Sequence, residues 1–293
     1  MQGSSGGGFL SSASTSESSE DWGRASLTGR VDLAGQVVFK DELEPVLDLQ
    51  LQLRENSLRT GPLALDQLRG QLRLTGGALE GPNVSGVLGA TPIELTDFHV
   101  TLAEGARVNE VVLSATLSAE GLPLDHEHMG SFLDPESLKV LIDDFDLEGQ
   151  IDLDDFKLSL AQSTDGRYRL VLSGHVIPIG MRAVAGTSLE IGSASVNVEE
   201  LVLEGGRARA WGRMTDIAGD VGGRSVDGGT LLFSYADQRL NIEDLALNFA
   251  GGTMTSLGGD EGHGGAALAL DLSERHHFAV AIELRDVEAK QIG

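Results

Sequence analysis

From Leu27 onward, apolar side chains recur at every second position, with polar or small residues between them. That spacing sends alternate side chains to opposite faces of an extended strand, so each run predicts a strand with one greasy face and one wet face. Leu47, Leu49, Leu51 and Leu53 alternate with Asp48, Gln50 and Gln52. The spacing returns in Val111, Leu113, Ala115 and Leu117, in Tyr168, Leu170 and Leu172, in Leu268, Leu270 and Leu272, and in Phe278, Val280, Ile282 and Leu284. Single-faced alternation belongs to antiparallel sheet. Parallel strands covered by helices on both sides read instead as continuous apolar runs joined by long helical crossovers.

One segment, Leu122 to Ile142, breaks the alternation. Asp134 is placed to cap a helix, Pro135 to take its first position, and Leu138, Leu141 and Ile142 follow at helical spacing. This predicts a helical connector over residues 122–142, set between a first β-region, 24–121, and a second, 143–293, that continues it. Residues 1–23, MQGSSGGGFLSSASTSESSEDWG, are Ser/Gly-rich with little to bury and read as a flexible leader.

A degenerate repeat runs through the strands, in which an acidic residue precedes a large apolar one and a second apolar residue follows two later. Its instances are Asp97-Phe98-x-Val100, Asp144-Phe145-x-Leu147, Asp155-Phe156-x-Leu158, Glu200-Leu201-x-Leu203 and Asp244-Leu245-x-Leu247. Each reads as the start of a strand. Paired glycines at Gly76-Gly77, Gly205-Gly206 and Gly251-Gly252 allow the chain to reverse in tight hairpins. The predicted fold is all-β with one or two short helices: an elongated, curled antiparallel sheet of repeated hairpins forming an open apolar groove.

Composition sharpens this picture. Aromatic content is 4% while glycine reaches 39 residues, so the apolar material is mainly aliphatic and suits many short strands. The 21 Lys and Arg against 45 Asp and Glu give a net charge of −24, which disfavours nucleic acid and makes a solvated acidic surface that keeps β-edges apart. Cysteine is absent, which removes disulfides, thiolate metal sites and a Cys nucleophile. No apolar run approaches the roughly 20 residues of a membrane-spanning helix.

Candidate chemistry is sparse. Asp125-His126-Glu127-His128 and His276-His277 carry metal-ligand residue types, but neither gathers the converging set that a metal requires, and solvated surface is the favoured reading. Asp144, Asp146 and Glu148 with Gly149 and Asp155 imitate the spacing of a calcium loop, against which Phe145 and Leu147 alternate as a strand would. The Gly258 to Gly265 stretch lacks the Lys-Ser/Thr of a phosphate-binding loop. Nothing orders Ser, His and Asp into a triad, so no catalytic, cofactor or metal residues are assigned and no cofactor is expected.

The acidic-apolar repeat, the stretch from Leu240 to Leu247 running into Gly251-Gly252-Thr253, and the final strand before Asp286-Val287 together resemble the AsmA-like/TamB-like envelope proteins over roughly residues 27–290. The resemblance implies a long β-sheet curled into an apolar trough in the periplasm of diderm bacteria, conducting phospholipid in outer-membrane biogenesis. It implies no enzymatic step, a phospholipid or other acyl-chain partner, and other envelope proteins or the rest of a longer chain as further partners. Family members carry an N-terminal membrane helix; without one in these residues, tethering falls to another part. The expected lining is Leu47, Leu49, Leu51, Leu53, Val111, Leu113, Leu117, Leu170, Leu172, Leu268, Leu270, Phe278, Val280, Ile282 and Leu284. The rival reading is a structural or adhesive module, a solenoid or sandwich whose leucines are sealed in a core and whose acidic surface meets a partner.

Overall fold

The structure, a computed structural model, describes residues 26–38, 46–60, 63–75, 77–101, 111–130, 133, 142, 146–162, 168–184, 188–257, 268–271 and 278–287. Strands β1 (Ser26–Val38), β2 (Val46–Thr60), β3 (Leu63–Thr75), β4 (Ala78–Leu88), β5 (Thr91–Thr101) and β6 (Val111–Pro123) follow one another. After the short helix α1 (His126–Met129) come β7 (Glu148–Gln162), β8 (Tyr168–Val184), β9 (Ser188–Glu204), β10 (Arg207–Val221), β11 (Ser225–Ala236) and β12 (Arg239–Phe249). The chain ends through β13 (Gly252–Ser256), β14 (Leu268–Asp271), β15 (Phe278–Val280) and β16 (Ile282–Arg285). They form one open antiparallel sheet of 16 strands, ordered as in the chain from β1 to β13 and then β16, with β14 and β15 continuing from the other end of β12. The predicted all-β, hairpin-by-hairpin architecture is therefore what the chain adopts.

β6 runs on through Leu122 and Pro123 and pairs directly with β7, so the sheet crosses the segment expected to be a helical connector. A short helix, α1, lies within this segment. Asp125 is its cap, accepting a hydrogen bond from the His128 backbone N–H at 2.8 Å. The anticipated Asp134-Pro135 start lies outside the described residues, and of that helix's apolar positions only Ile142 is described, as a buried residue.

Tight turns join neighbouring strands. Gly205 and Gly206, at φ 57° and 73°, link β9 to β10, a pair of positive angles that matches the natural twist of a hairpin. The turn after β12 sits one residue before the paired glycines, at Ala250 and Gly251 with φ 50° and 78°.

The acidic-apolar repeat has a different role from the one its position suggests. Asp97, Asp155 and Asp244 lie in the middle of β5, β7 and β12, in left-handed conformation at φ 50°, 48° and 49°. Each coincides with a register shift against a neighbouring strand. They are β-bulges. A short polar side chain tolerates positive φ, and the extra residue turns the next side chain inward, so Phe98, Phe156 and Leu245 are 2%, 6% and 7% exposed. Glu55 in β2, Gln67 in β3 and Asp216 in β10 repeat the device at φ 60°, 51° and 54°. Pairings such as Asn56↔Leu68, Thr96↔Thr116↔Lys157↔Ser173 and Thr215↔Thr230↔Ala246 place these bulges side by side, as a crease running across the strands.

The crease needs room on the facing strands. Gly174 of β8, at φ 143°, lies so close to β7 that a Cβ would sit 2.8 Å from the Phe156 Cα and 2.9 Å from the Asp155 carbonyl oxygen. At its β1 end, the fully buried Asn56 donates to the Thr28 carbonyl at 3.1 Å and accepts from the Arg54 N–H at 2.8 Å, so a polar residue in the apolar face has both ends of its amide engaged. Bulges bend and twist a sheet, and a line of them curls it.

Candidate functional site

The apolar face reads as rows that cross the strands. Leu49, Leu74, Leu79, Val100, Leu113, Leu160, Leu170, Leu203 and Ala208 are successive cross-strand neighbours, one from each strand between β2 and β10. Opposed aliphatic pairs of this kind are the stabilising unit of a sheet. Within the row Leu79, Val100, Leu113 and Leu160 are between 0% and 2% exposed. A single flat sheet cannot bury its own face so fully, so something must lie over it.

Among the described residues, what lies over it is the sheet itself together with Met129, Leu133 and Ile142. Leu63 and Leu65 of β3 and Val198 and Leu201 of β9 line the same cavity of about 150 Å³. In a flat sheet those strands would stand roughly 29 Å apart, at about 4.8 Å per strand. The strands from β3 to β9 therefore curl until their inner faces meet. Met129 of α1, 6% exposed, and Leu133 close the cavity on one side. Every residue lining it is apolar.

Beyond β9 the face opens in part, although Tyr235 and Leu270 stay buried. Val198, on the cavity wall, continues through Gly212, Phe233, Ile242 and Leu268 to Val280, each paired with the next. A parallel row runs Leu201, Ala210, Tyr235, Leu240, Leu270, Phe278. Exposure rises along the first: Phe233, Ile242 and Leu268 are half-buried, and Val280 is 50% exposed. A sealed apolar chamber thus leads into an apolar track that meets solvent.

The lining residues expected from sequence distribute over both zones. Leu51, Leu53, Leu113, Leu117, Leu170, Leu172 and Leu270 are buried, Leu49, Leu268 and Ile282 are half-buried, and Val280 and Leu284 are exposed. Leu113, Leu117 and Leu172 reach the cavity wall. Leu47, Val111 and Phe278 hold strand positions, and their side chains lie outside the described residues. The cavity also draws on Phe98 and Phe156, which periodicity does not select. Their signal was the Asp-Phe-x-apolar repeat, which marks a bulge and an inward side chain.

Polar candidates separate in space. Residues 148–155 are part of β7, which sets Asp155 about 20 Å along the strand from Glu148 and prevents one ion from meeting both. Asp144 lies outside the described residues, as do His276, His277 and the Gly258 to Gly265 stretch. His126 and His128 sit on α1 instead of a strand, where the His128 ring lies 2.8 Å from Asp125. Partial burial raises the Asp125 carboxyl, but hydrogen bonds from the His128 backbone and ring outweigh it and hold the group below its ordinary value. Among the described residues no three His, Asp or Glu side chains gather as a metal site requires. His175 Nε2 and Ser195 Oγ approach to 2.6 Å on the outer face, with Asp154 across the strand pair from His175. Among the described residues no carboxylate hydrogen-bonds the ring's other nitrogen, so the pair lacks the orienting third group of a triad.

No protein-family model, curated protein or solved structure matches this chain.

Proposed function

We propose that this chain is a non-enzymatic, AsmA-like segment of a bacterial cell envelope that holds or conducts lipid acyl chains along its apolar face in the periplasm, serving outer-membrane biogenesis. The observation that carries this reading is the continuity of the Val198 to Val280 row with the wholly apolar cavity. A cavity of about 150 Å³ takes a benzene-sized guest and stays dry. A full acyl chain must therefore extend out of it, over the half-open rows. Those rows span about 24 Å at roughly 4.8 Å per strand, against the roughly 15 Å that one leaflet's chains cover in a bilayer core of about 30 Å. The rows are long enough to take an acyl chain and share its polarity, and transfer of methylenes from water supplies the affinity.

A second reading, the sealed structural module, draws support from the burial of the β2–β8 leucines and the small size of the cavity. Native mass spectrometry after gentle extraction, followed by lipid analysis, separates the two. Acyl-chain lipid carried by the wild type, lost in Phe233→Asp/Ile242→Asp while circular dichroism stays unchanged, is the expected outcome. A lipid-free wild type would assign the chain to the structural reading.

A further inference from the structure

The outer face carries a second, chemically distinct surface. On β10, Ala210 and Met214 pack against the apolar core, so Arg207, Arg209, Trp211 and Arg213 stand on the opposite face of the sheet. All four are exposed, Trp211 by 41%. Two strands away, Val176 lines the cavity, which sends Ile177 and Ile179 of β8 to the same outer face, 37% and 42% exposed.

In a chain of net charge −24, arginines that have no ion pair among the described residues, beside exposed apolar side chains, are out of character. On the outer face of β2 and β3 each arginine has a carboxylate: Arg54 with Asp32 at 2.6 Å, Arg59 with Asp66 at 2.9 Å, Arg69 with Glu55 at 2.6 Å, Arg73 with Asp48 at 2.8 Å. On β10 the cross-strand neighbours of Arg209 are Val202 and Ala236, and those of Arg213 are Asn197 and Leu232. None of these carries charge. The acidic neighbours Glu204 and Glu200 stand opposite Arg207 and Trp211. Arg209 and Arg213 stand about 13 Å apart along the strand with the indole between them, and Glu200 and Glu204 of β9 lie diagonal to Arg209.

We propose that the outer face of β8 and β10 docks on an anionic phospholipid surface, with Arg209 and Arg213 on headgroup phosphates and Trp211, Ile177 and Ile179 at the headgroup–acyl boundary. Guanidinium groups bind phosphate through paired hydrogen bonds. Trp favours the membrane–water interface because its ring is apolar and its N–H is a donor. The long-range repulsion expected from the chain's net charge is screened beyond about 8 Å at physiological ionic strength, so the local pair governs contact. The inner face handles acyl chains in the reading above; docking uses other residues and stands on its own observations.

The test uses the full chain carrying Trp22→Phe, which leaves Trp211 as the reporting indole of the two in the sequence. Vesicles of phosphatidylglycerol mixed with phosphatidylcholine should float the protein and shift its fluorescence to the blue. Pure phosphatidylcholine should do neither, and added salt should weaken the effect. Arg209→Glu/Arg213→Glu should lower vesicle partitioning tenfold or more with circular dichroism unchanged. Lipid extracted from the same samples before vesicle addition reports the inner face separately, so docking can fail while acyl-chain binding stands, or the reverse. A wild type that does not float, or a charge-reversed variant that floats equally, overturns the proposal. Self-association in light scattering that the charge reversal abolishes, without flotation of the wild type, assigns the stripe to a second copy of the chain and overturns it as well.

Discussion

The β2–β8 part of the sheet and the β11–β16 part are written in the same alternating code and end in different physical states. In the first, the inward leucines are sealed: Leu53, Leu113 and Leu160 are each 1% exposed, and the outer arginines of β2 and β3 are matched to carboxylates. In the second, burial is patchy: Val226, Tyr235 and Phe249 are 2%, 5% and 7% exposed, while Leu231, Phe233, Ile242 and Leu247 are half-buried and Val280 and Leu284 are 50% and 43% exposed. Alternation decides which face a side chain joins. Curvature decides whether that face is covered. The difference teaches that one alternating face is covered throughout the main core and, from β9 to β12, only around a second, smaller buried cluster, leaving the rows between and beyond it half-open.

Truncating a sealed residue and an open one breaks this comparison most sharply. Leu160→Ala removes buried methylenes from a site with little freedom to collapse, and should cost about 2–5 kcal/mol. Ile242→Ala on the open track should cost less than about 1.5 kcal/mol, because the wild-type side chain already meets water. Urea midpoints of the two variants measure the contrast, and equal losses would mean that the two zones form one uniform core. Next in size is the crease. Gly174→Val sets a branched side chain against the Phe156 backbone at a positive φ, and should cost about 2–3 kcal/mol. Because the strain lies in the bend that closes the chamber, hydrogen exchange should accelerate in β7 and β8 while β11 and β12 keep their protection. Uniform acceleration would show that the crease is not the local source of closure.

Much of the fold was legible because period-two patterning is a local property: Leu49, Leu51 and Leu53 need no distant partner to declare their face. The one-sheet hairpin order follows from short connections between such runs. The crease was less legible. Asp97, Asp155 and Asp244 stand out as a repeat, but a bulge differs from a strand start only in its pairing register, which depends on the neighbouring strand. The candidate site was half legible for the same reason. Sequence places Leu113 and Val280 on one face without saying that the first lies in a chamber and the second at the exposed far end of the row that leads from it. The outer stripe escaped because each arginine resembles any wet-face residue until the neighbours of Arg209 and Arg213 are known to be uncharged.

The smallest expected effect concerns the ion-paired side of the comparison. Asp66 accepts a hydrogen bond from the Ser57 hydroxyl at 2.6 Å and two from the Arg59 guanidinium at 2.9 and 3.0 Å. The Ser57 bond is the largest influence; partial burial opposes it, and the Arg59 contacts add to it, leaving the carboxyl below its ordinary value. A group whose folded pKa is depressed stabilises the fold above its unfolded pKa of about 3.9, and that contribution fades as pH falls through the lower folded value. Solvent reaches this pair, so the whole contribution should stay below about 1 kcal/mol. The urea midpoint of Asp66→Asn should therefore fall slightly below the wild type's at about pH 6, and the gap should narrow as pH is lowered below about 3.9. A gap unchanged across that range would mean that Asp66 acts through hydrogen-bond geometry alone, and that its charge has no part in holding β2 against β3.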